Sequence, residues 1–205
     1  MIVAFEGVDG SGKSSTLKEL AMMVSETLNG ASKFYFVREP HNDQYIDLIR
    51  SASSVEERAL LFAADRHRLY TEIGGIVSHQ EITVFTDRSY ISNYAYQYYD
   101  FVSKNNFKDT LESLEFLKWM RTLQPSNCTI DVVVFFEARP EVCVQRCTAR
   151  KEPLVETKVI VLNHIYRTII RNLKCKCINV STDNGLTTRE ICRSILNEVS
   201  TLEDC

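Results

Sequence analysis

The sequence predicts an α/β fold, a five-stranded parallel sheet with helices on both faces. Three observations predict it. Short apolar runs alternate with longer stretches of helical spacing along the whole chain. The central runs are apolar almost throughout, not at every second residue, as strands covered on both faces are. A glycine-rich turn joins the first run to the first helical stretch. Right-handed crossovers then follow from the twist of strand and helix.

The elements read in order as follows. Residues 1–5, MIVAF, form a short buried strand, and a Gly/Ser-rich turn covers 7–12. Residues 14–28 place Leu17, Leu20, Ala21, Val24 and Leu28 at helical spacing, with Asn29 and Gly30 as a stop signal. KFYFV, residues 33–37, is the second strand, which Pro40 forces out of the sheet. A short helix is predicted over 45–50. The next is capped by Ser53 or Ser54, carries Glu56 and Glu57 in its first turn and runs to about His79, with a break at Gly74 and Gly75. Residues 82–85 are the third strand, followed by helices over 90–101 and 110–123. Residues 131–136 are the fourth strand, and Pro140 opens a helix reaching Cys147. The charged stretch 150–156 interrupts the pattern before helix resumes to about Leu173. Residues 175–180 are the fifth strand and 187–199 the last helix.

A chain of 205 residues with 44% hydrophobic and 25% charged residues fills one core, so residues 1–205 read as a single domain. That balance excludes bulk disorder, collagen and a disulfide-stapled miniprotein. The net charge of −3 gives no sign of an extended nucleic-acid surface, while local arginines remain free to converge on a small anion. No apolar run approaches the roughly 18 residues of a membrane helix. Glu6 and Asp9 come too early for a signal peptide, so a soluble cytoplasmic protein with no membrane partner is expected. The seven cysteines form no CxxC pair, and reduced thiols rather than a zinc site are expected.

GVDGSGKS, residues 7–14, fits G-x-x-x-x-G-K-[ST] without a mismatch and lies between a predicted strand and a predicted helix. That spacing and context predict the phosphate loop of a P-loop NTPase. Gly7, Gly10 and Gly12 let the backbone turn its N–H groups inward, and the helix that follows adds unpaired donors and the positive end of its dipole. Lys13 brings a point charge to the β and γ phosphates, and the Ser14 hydroxyl is a ligand for Mg²⁺. Ser11 and Ser15 complete the ATP-contacting loop. The loop implies a nucleoside triphosphate and leaves the acceptor open.

The chain lacks the guanine-reading N-K-x-D of GTPases, and one small domain has little room for motor or transporter coupling. A small-molecule kinase remains. Charged pairs at Arg38–Glu39 and Asp87–Arg88 close two strands, and Asp65–Arg66 lies inside a helix. Ligands of open parallel sheets bind at the carboxyl ends of strands. Asp87 is therefore a candidate to hold Mg²⁺ through water, and Arg38 and Arg88 to clamp an acceptor phosphate.

FEGVDGSGKSS (5–15), VREP (37–40), LLFAADR (60–66) and TDRSYISNYAYQ (86–97) occur in the order found in thymidylate kinases, and the chain resembles that family over nearly its whole length. The form it resembles is the bacterial one, in which basic residues come from the lid. The resemblance implies transfer of the γ-phosphate of ATP to dTMP. Carried over position by position, it places Asp9 against the acceptor's 3′-hydroxyl and Arg38 and Arg88 on its phosphate. Glu39 and Asp87 lie by the metal. Phe62 stacks on thymine and Arg66 reaches a base carbonyl, while Ser92, Asn93, Tyr96 and Gln97 line base and sugar. The family also implies a homodimer, for which 60–69 and 90–99 offer apolar and aromatic residues. The chain departs from the family pattern after Pro40, where His41, Asn42 and Asp43 follow, and at Ser89, where an aromatic residue or histidine is frequent.

Phosphoryl transfer needs positive charge around the moving group more than a strong base. Arg146, Arg150 and Lys151 before Glu152–Pro153 read as a mobile lid over about 147–157. Where some family members carry an arginine inside the loop, this chain has Ser11, which makes Arg150 the expected transition-state cation, with Lys151 second and Arg146 against adenine. Two alternatives stand beside this reading. One is a deoxynucleoside kinase or another nucleoside monophosphate kinase, in which Glu39 or Asp87 would be the base for a nucleoside acceptor. The other is a catalytically inactive nucleotide-binding regulator.

Overall fold

The computed structural model describes residues 1–27, 34–77, 82–104, 106–108, 110–125 and 129–203. The strands are β1 (Ile2–Glu6), β2 (Phe34–Arg38), β3 (Thr83–Asp87), β4 (Val132–Glu137) and β5 (Lys176–Ser181). The helices are α1 (Lys13–Thr27), α2 (Asp43–Ser51), α3 (Val55–Val77), α4 (Tyr90–Lys104), α5 (Leu111–Thr122), α6 (Pro140–Ala149), α7 (Glu156–Arg171) and α8 (Thr188–Glu203). All five strands are parallel, in the order β2-β3-β1-β4-β5.

β1 is the middle strand, and Val3 pairs with Phe85 on one side and Val132 on the other. All five of its residues are buried, which is why it carries no polar–apolar alternation. Side chains still point alternately to the two faces. Val3 and Phe5 join Leu17 and Leu20 of α1 and Ile195 of α8 in one core layer. Ala4 joins Leu69 of α3, Ile91 of α4 and Tyr166 of α7 in the other. A smaller cluster ties α3, α4 and α5 through Ala59, Tyr94, Phe116 and Met120, with the Phe101 and Phe116 rings stacked at 4.3 Å.

The predicted order of elements holds, with shifted ends. α3 passes Gly74 without the expected break, because Leu69, Tyr70 and Ile73 are buried on its inner face and anchor the turn. A helical glycine costs only about 1 kcal/mol, less than such burial returns. α2, α4 and α6 run longer than predicted. The stop signal at Asn29 and Gly30, like His79, lies outside the described residues. Among the described residues, no helix is long and apolar enough to cross a membrane.

Because β3 and β4 flank β1 on opposite sides, the chain ahead of β1 faces the crevice where the strand order reverses. The Gly7–Ser14 loop fills that place. Asp87 and Arg88 arrive beside it from β3, and Arg38 pairs in register with Asp87 from β2.

Candidate active site

The loop between β1 and α1 has Gly7, Gly10 and Gly12 at φ 139°, 80° and 100°, in the region that disfavours a side chain. At Gly10 the space is closed as well, since a Cβ there would come 2.4 Å from the Cys143 carbonyl oxygen. Lys13 turns back under the loop and donates from Nζ to the carbonyls of Gly7 at 2.6 Å and Val8 at 2.8 Å. Burial, then the nearby Arg88, pulls its ammonium down to about 7, against the opposing pull of Asp9, Asp87 and Glu6. Ser14 donates to Asp87 Oδ2 at 2.7 Å. These two oxygens, with Lys13 and Ser15, face a cavity of about 390 Å³ that Gly10, Gly12, Arg38 and Arg150 also line.

A second cavity, of about 310 Å³, lies between α3 and α4. Phe62 lines it from α3, and Ser92, Asn93, Tyr96 and Gln97 from one face of α4. Asn93 and Gln97 are 3% and 2% exposed, and neither Asn93 Oδ1 nor Gln97 Oε1 has a hydrogen-bond partner. A buried acceptor without a donor is costly, so both oxygens are suited to a ligand N–H. The two cavities share Asp9, Glu39, Pro40 and Arg88.

Arg88 occupies the junction. Its Nη2 donates to Asp9 Oδ1 at 2.5 Å, and its Nη1 to Ser92 Oγ at 3.0 Å and Tyr166 Oη at 3.3 Å. Tyr96 donates from Oη to Asp9 Oδ2 at 2.7 Å and accepts from the Asp9 amide at 3.1 Å. Burial alone would raise the Asp9 carboxyl, but Arg88 and Lys13 outweigh it and hold the group below its ordinary value. Beneath Arg88, Glu6 is wholly buried and accepts from Ser89 Oγ and Ser92 Oγ, both at 2.5 Å. Burial pushes its carboxyl up to about 7, although Ser89, Ser92 and Arg88 favour the charged form.

The charges adjacent in sequence are partnered across the fold. Arg66 is fully buried and donates from Nε to Glu39 Oε2 at 2.8 Å and from Nη1 to Gln124 at 3.3 Å, and it does not line the second cavity. Asp65 accepts the backbone amides of His41 and Asn42, and so shapes the segment that follows Pro40. Arg38 lines the first cavity but not the second and is bonded to Asp43 at 3.2 Å. Glu39 keeps Oε1 unpartnered, and burial raises its carboxyl despite Arg66.

The structure thus brings Asp9, Gly10, Gly12, Lys13, Ser14, Ser15, Arg38, Glu39, Asp87, Arg88 and Arg150 around the first cavity. Gly7 and Ser11 stand behind it. Arg146 stands there too, bonded to the Gly10 carbonyl at 3.0 Å and to both oxygens of Thr182. The segment between α6 and α7 puts Arg150 in the cavity, ion-paired to Glu152 at 2.7 Å, whereas Lys151 is exposed and does not line it. Sequence reasoning missed Glu6, Tyr166, Thr182 and the Arg58–Asp100 pair. Only Glu6 gave a signal, an acidic residue closing an apolar strand.

The chain matches the thymidylate kinase family model over residues 5–195. It is 31% identical to a probable thymidylate kinase of Methanothermobacter thermautotrophicus over 74% of this chain and 72% of that protein. A thymidylate kinase of Mycoplasmoides gallisepticum is 26% identical over 89% and 88%. Among solved structures, the thymidylate kinase of Candida albicans superposes with a TM-score of 0.73 at 18% identity, covering 98% of this chain and 92% of that one, a likeness of fold. With loop, junction and second cavity spread between Gly7 and Tyr166, the matched span takes in the whole site, and the chain belongs to the thymidylate kinase family.

Proposed function

We propose that this protein is a P-loop kinase that transfers the γ-phosphoryl group of ATP to dTMP, giving ADP and dTDP. One observation carries the reading: two cavities meet at Asp9, Glu39, Pro40 and Arg88, one lined by a glycine loop and the other by an aromatic face and two buried carboxamides. The first suits a polyphosphate, because inward amides and Lys13 converge there. The second suits a nucleoside, because Phe62 offers a flat apolar wall and Asn93 and Gln97 offer polar edges. Arg88 then stands between the two phosphates, where charge develops as the group moves. Asp9, tied to Arg88 and Tyr96, fixes that guanidinium and faces the acceptor sugar.

The donor set at Ser14 and Asp87 fits Mg²⁺, which takes hard oxygen ligands and keeps several waters. Bound there, the ion would neutralise phosphate charge and orient the triphosphate. Arg150 is the lid cation of this reading. It must leave Glu152 to reach the transferring group, while Lys151 lies outside the cavity lining. Arg66 holds Glu39 in place and does not read the base. The homodimer stays part of the reading, with Leu60, half exposed on α3, in its candidate face.

The test is a transfer panel with ATP, Mg²⁺ and each nucleoside monophosphate, with thymidine as the nucleoside control. dTDP as the main product supports the reading. Phosphorylation of thymidine in preference to dTMP, or tight ATP binding with no transfer, refutes it.

A further inference from the structure

An ion pair spans α3 and α4 along the second cavity. Arg58 Nη1 lies 2.7 Å from Asp100 Oδ2, with both side chains 30% exposed, and both residues line the cavity. The lining positions of α4 run from Ser92 to Asp100 at spacings of three and four, so they form one stripe. At ~1.5 Å of rise per residue that stripe is roughly 12 Å long, and Asp100 marks the end remote from Arg88. On α3, Arg58 stands one turn before Phe62. The pair therefore lines the cavity beyond Phe62 and Gln97, at the end toward which a base seated between them would extend.

We propose that the Arg58–Asp100 pair is a specificity determinant that sets the length of the base subsite, admitting monophosphates with a one-ring base and excluding those with two rings. The proposal rests on the second cavity being the acceptor site. A longer base would have to part the two side chains. Each is partly withdrawn from water, so separation costs both charges a partner held at 2.7 Å. That resistance makes the pair a wall rather than a flexible rim, and exposed pairs such as Arg50–Asp47 offer no equivalent.

The test measures binding without turnover. Calorimetry with thymidine monophosphate and with deoxyguanosine monophosphate is run on the full chain, on Arg58→Ala, on Asp100→Ala and on the charge-exchanged double variant Arg58→Asp/Asp100→Arg. The wild type is expected to prefer the thymidine nucleotide. Each single variant should lose about tenfold or more of that preference, the scale on which a pocket discriminates by fit. The exchanged variant should regain the preference. If a truncation fails to fold, Asp100→Asn carries the test, since it keeps the shape and removes the charge, and a reduced preference is again expected. An unchanged preference in the single variants overturns the proposal and leaves the assignment of the cavity standing. So does an equal loss of affinity for both nucleotides, which is what a purely structural clamp between α3 and α4 would give. A wild type that binds both nucleotides alike also refutes the wall alone, whereas one that binds neither refutes the cavity assignment as well.

Discussion

Glu6→Gln isolates the buried carboxylate under Arg88. Glu6 is fully buried, and burial moves its carboxyl from 4.5 to about 7. Below pH 4.5 the group is neutral in both the folded and unfolded chain, and its contribution to stability is fully present. As pH rises from 4.5 to 7 the unfolded chain gives up the proton while the folded chain keeps it, so that contribution is lost. The full loss is about 3 kcal/mol above pH 7. Glutamine has nearly the same shape, can still accept from Ser89 or Ser92, and never ionises. The variant should therefore match the wild type at pH 4.5 and exceed it progressively up to pH 7. Denaturant unfolding at a series of pH values measures this as a widening gap in midpoint. Lys13, pulled down from 10.5 to about 7 by burial, acts in the opposite direction and in a different window. It makes stability rise with pH between 7 and 10.5, so the two effects separate on the pH axis. A gap that is constant from pH 4.5 to 7 would refute the claim that Glu6 keeps its proton in the folded chain.

The remaining predictions concern the nucleotide site. ATP binding at pH 8 should take up a proton, because a phosphate beside Lys13 restores the ammonium charge that burial suppresses, and calorimetry in buffers of different ionisation enthalpy reads the uptake. Arg150→Ala should lower turnover by at least about 10²-fold, whereas Lys151→Ala should stay within about twofold, as steady-state kinetics will show. Gly10→Ala should destabilise the fold by about 2 kcal/mol or more in thermal unfolding and abolish ATP binding, because a Cβ at φ 80° would collide with the Cys143 carbonyl.

What the sequence made legible depends on how local each cause is. The strands could be read because burial on both faces leaves a run such as VVVFF with no polar residue, and the glycine loop because its spacing is itself the chemistry. The loop's faces were legible too. Asp9, Lys13, Ser14 and Asp87 all line one cavity. Partner choice was not legible. Arg66 adjoins Asp65 in sequence, yet successive helical residues lie about 100° apart, so Asp65 turns to the backbone after Pro40 while Arg66 turns to Glu39. The same argument hid Arg58–Asp100, whose members are 42 positions apart and meet only because α3 and α4 pack together. Tyr166 was hidden for another reason. At helical spacing it reads as core, which it is, and its one polar atom reaches Ser92 and Arg88 only through the packing of α7 on α4.

Arg88 shows how the fold makes this site instead of merely hosting it. The residue lies at φ 73°, a left-handed conformation that costs a residue with a Cβ about 1–2 kcal/mol. The backbone there is held by its amide on the Phe5 carbonyl at 3.1 Å and by Thr86 Oγ1 on its own carbonyl at 2.7 Å. Both anchors come from central strands, β1 and β3, so the strain is balanced by the most buried part of the sheet. Without the turn at Arg88 the side chain would continue the alternation of β3. With it, the guanidinium reaches Asp9 and borders both cavities. Ser89 then has room to meet Glu6, and that carboxyl group stays beneath the arginine out of water. A larger residue at 89 would need the space that the Ser89–Glu6 hydrogen bond occupies. The small side chain at Ser89 and the buried acid at Glu6 are therefore two parts of one local solution, and Ser89→Tyr should disturb Glu6 first and Arg88 through it.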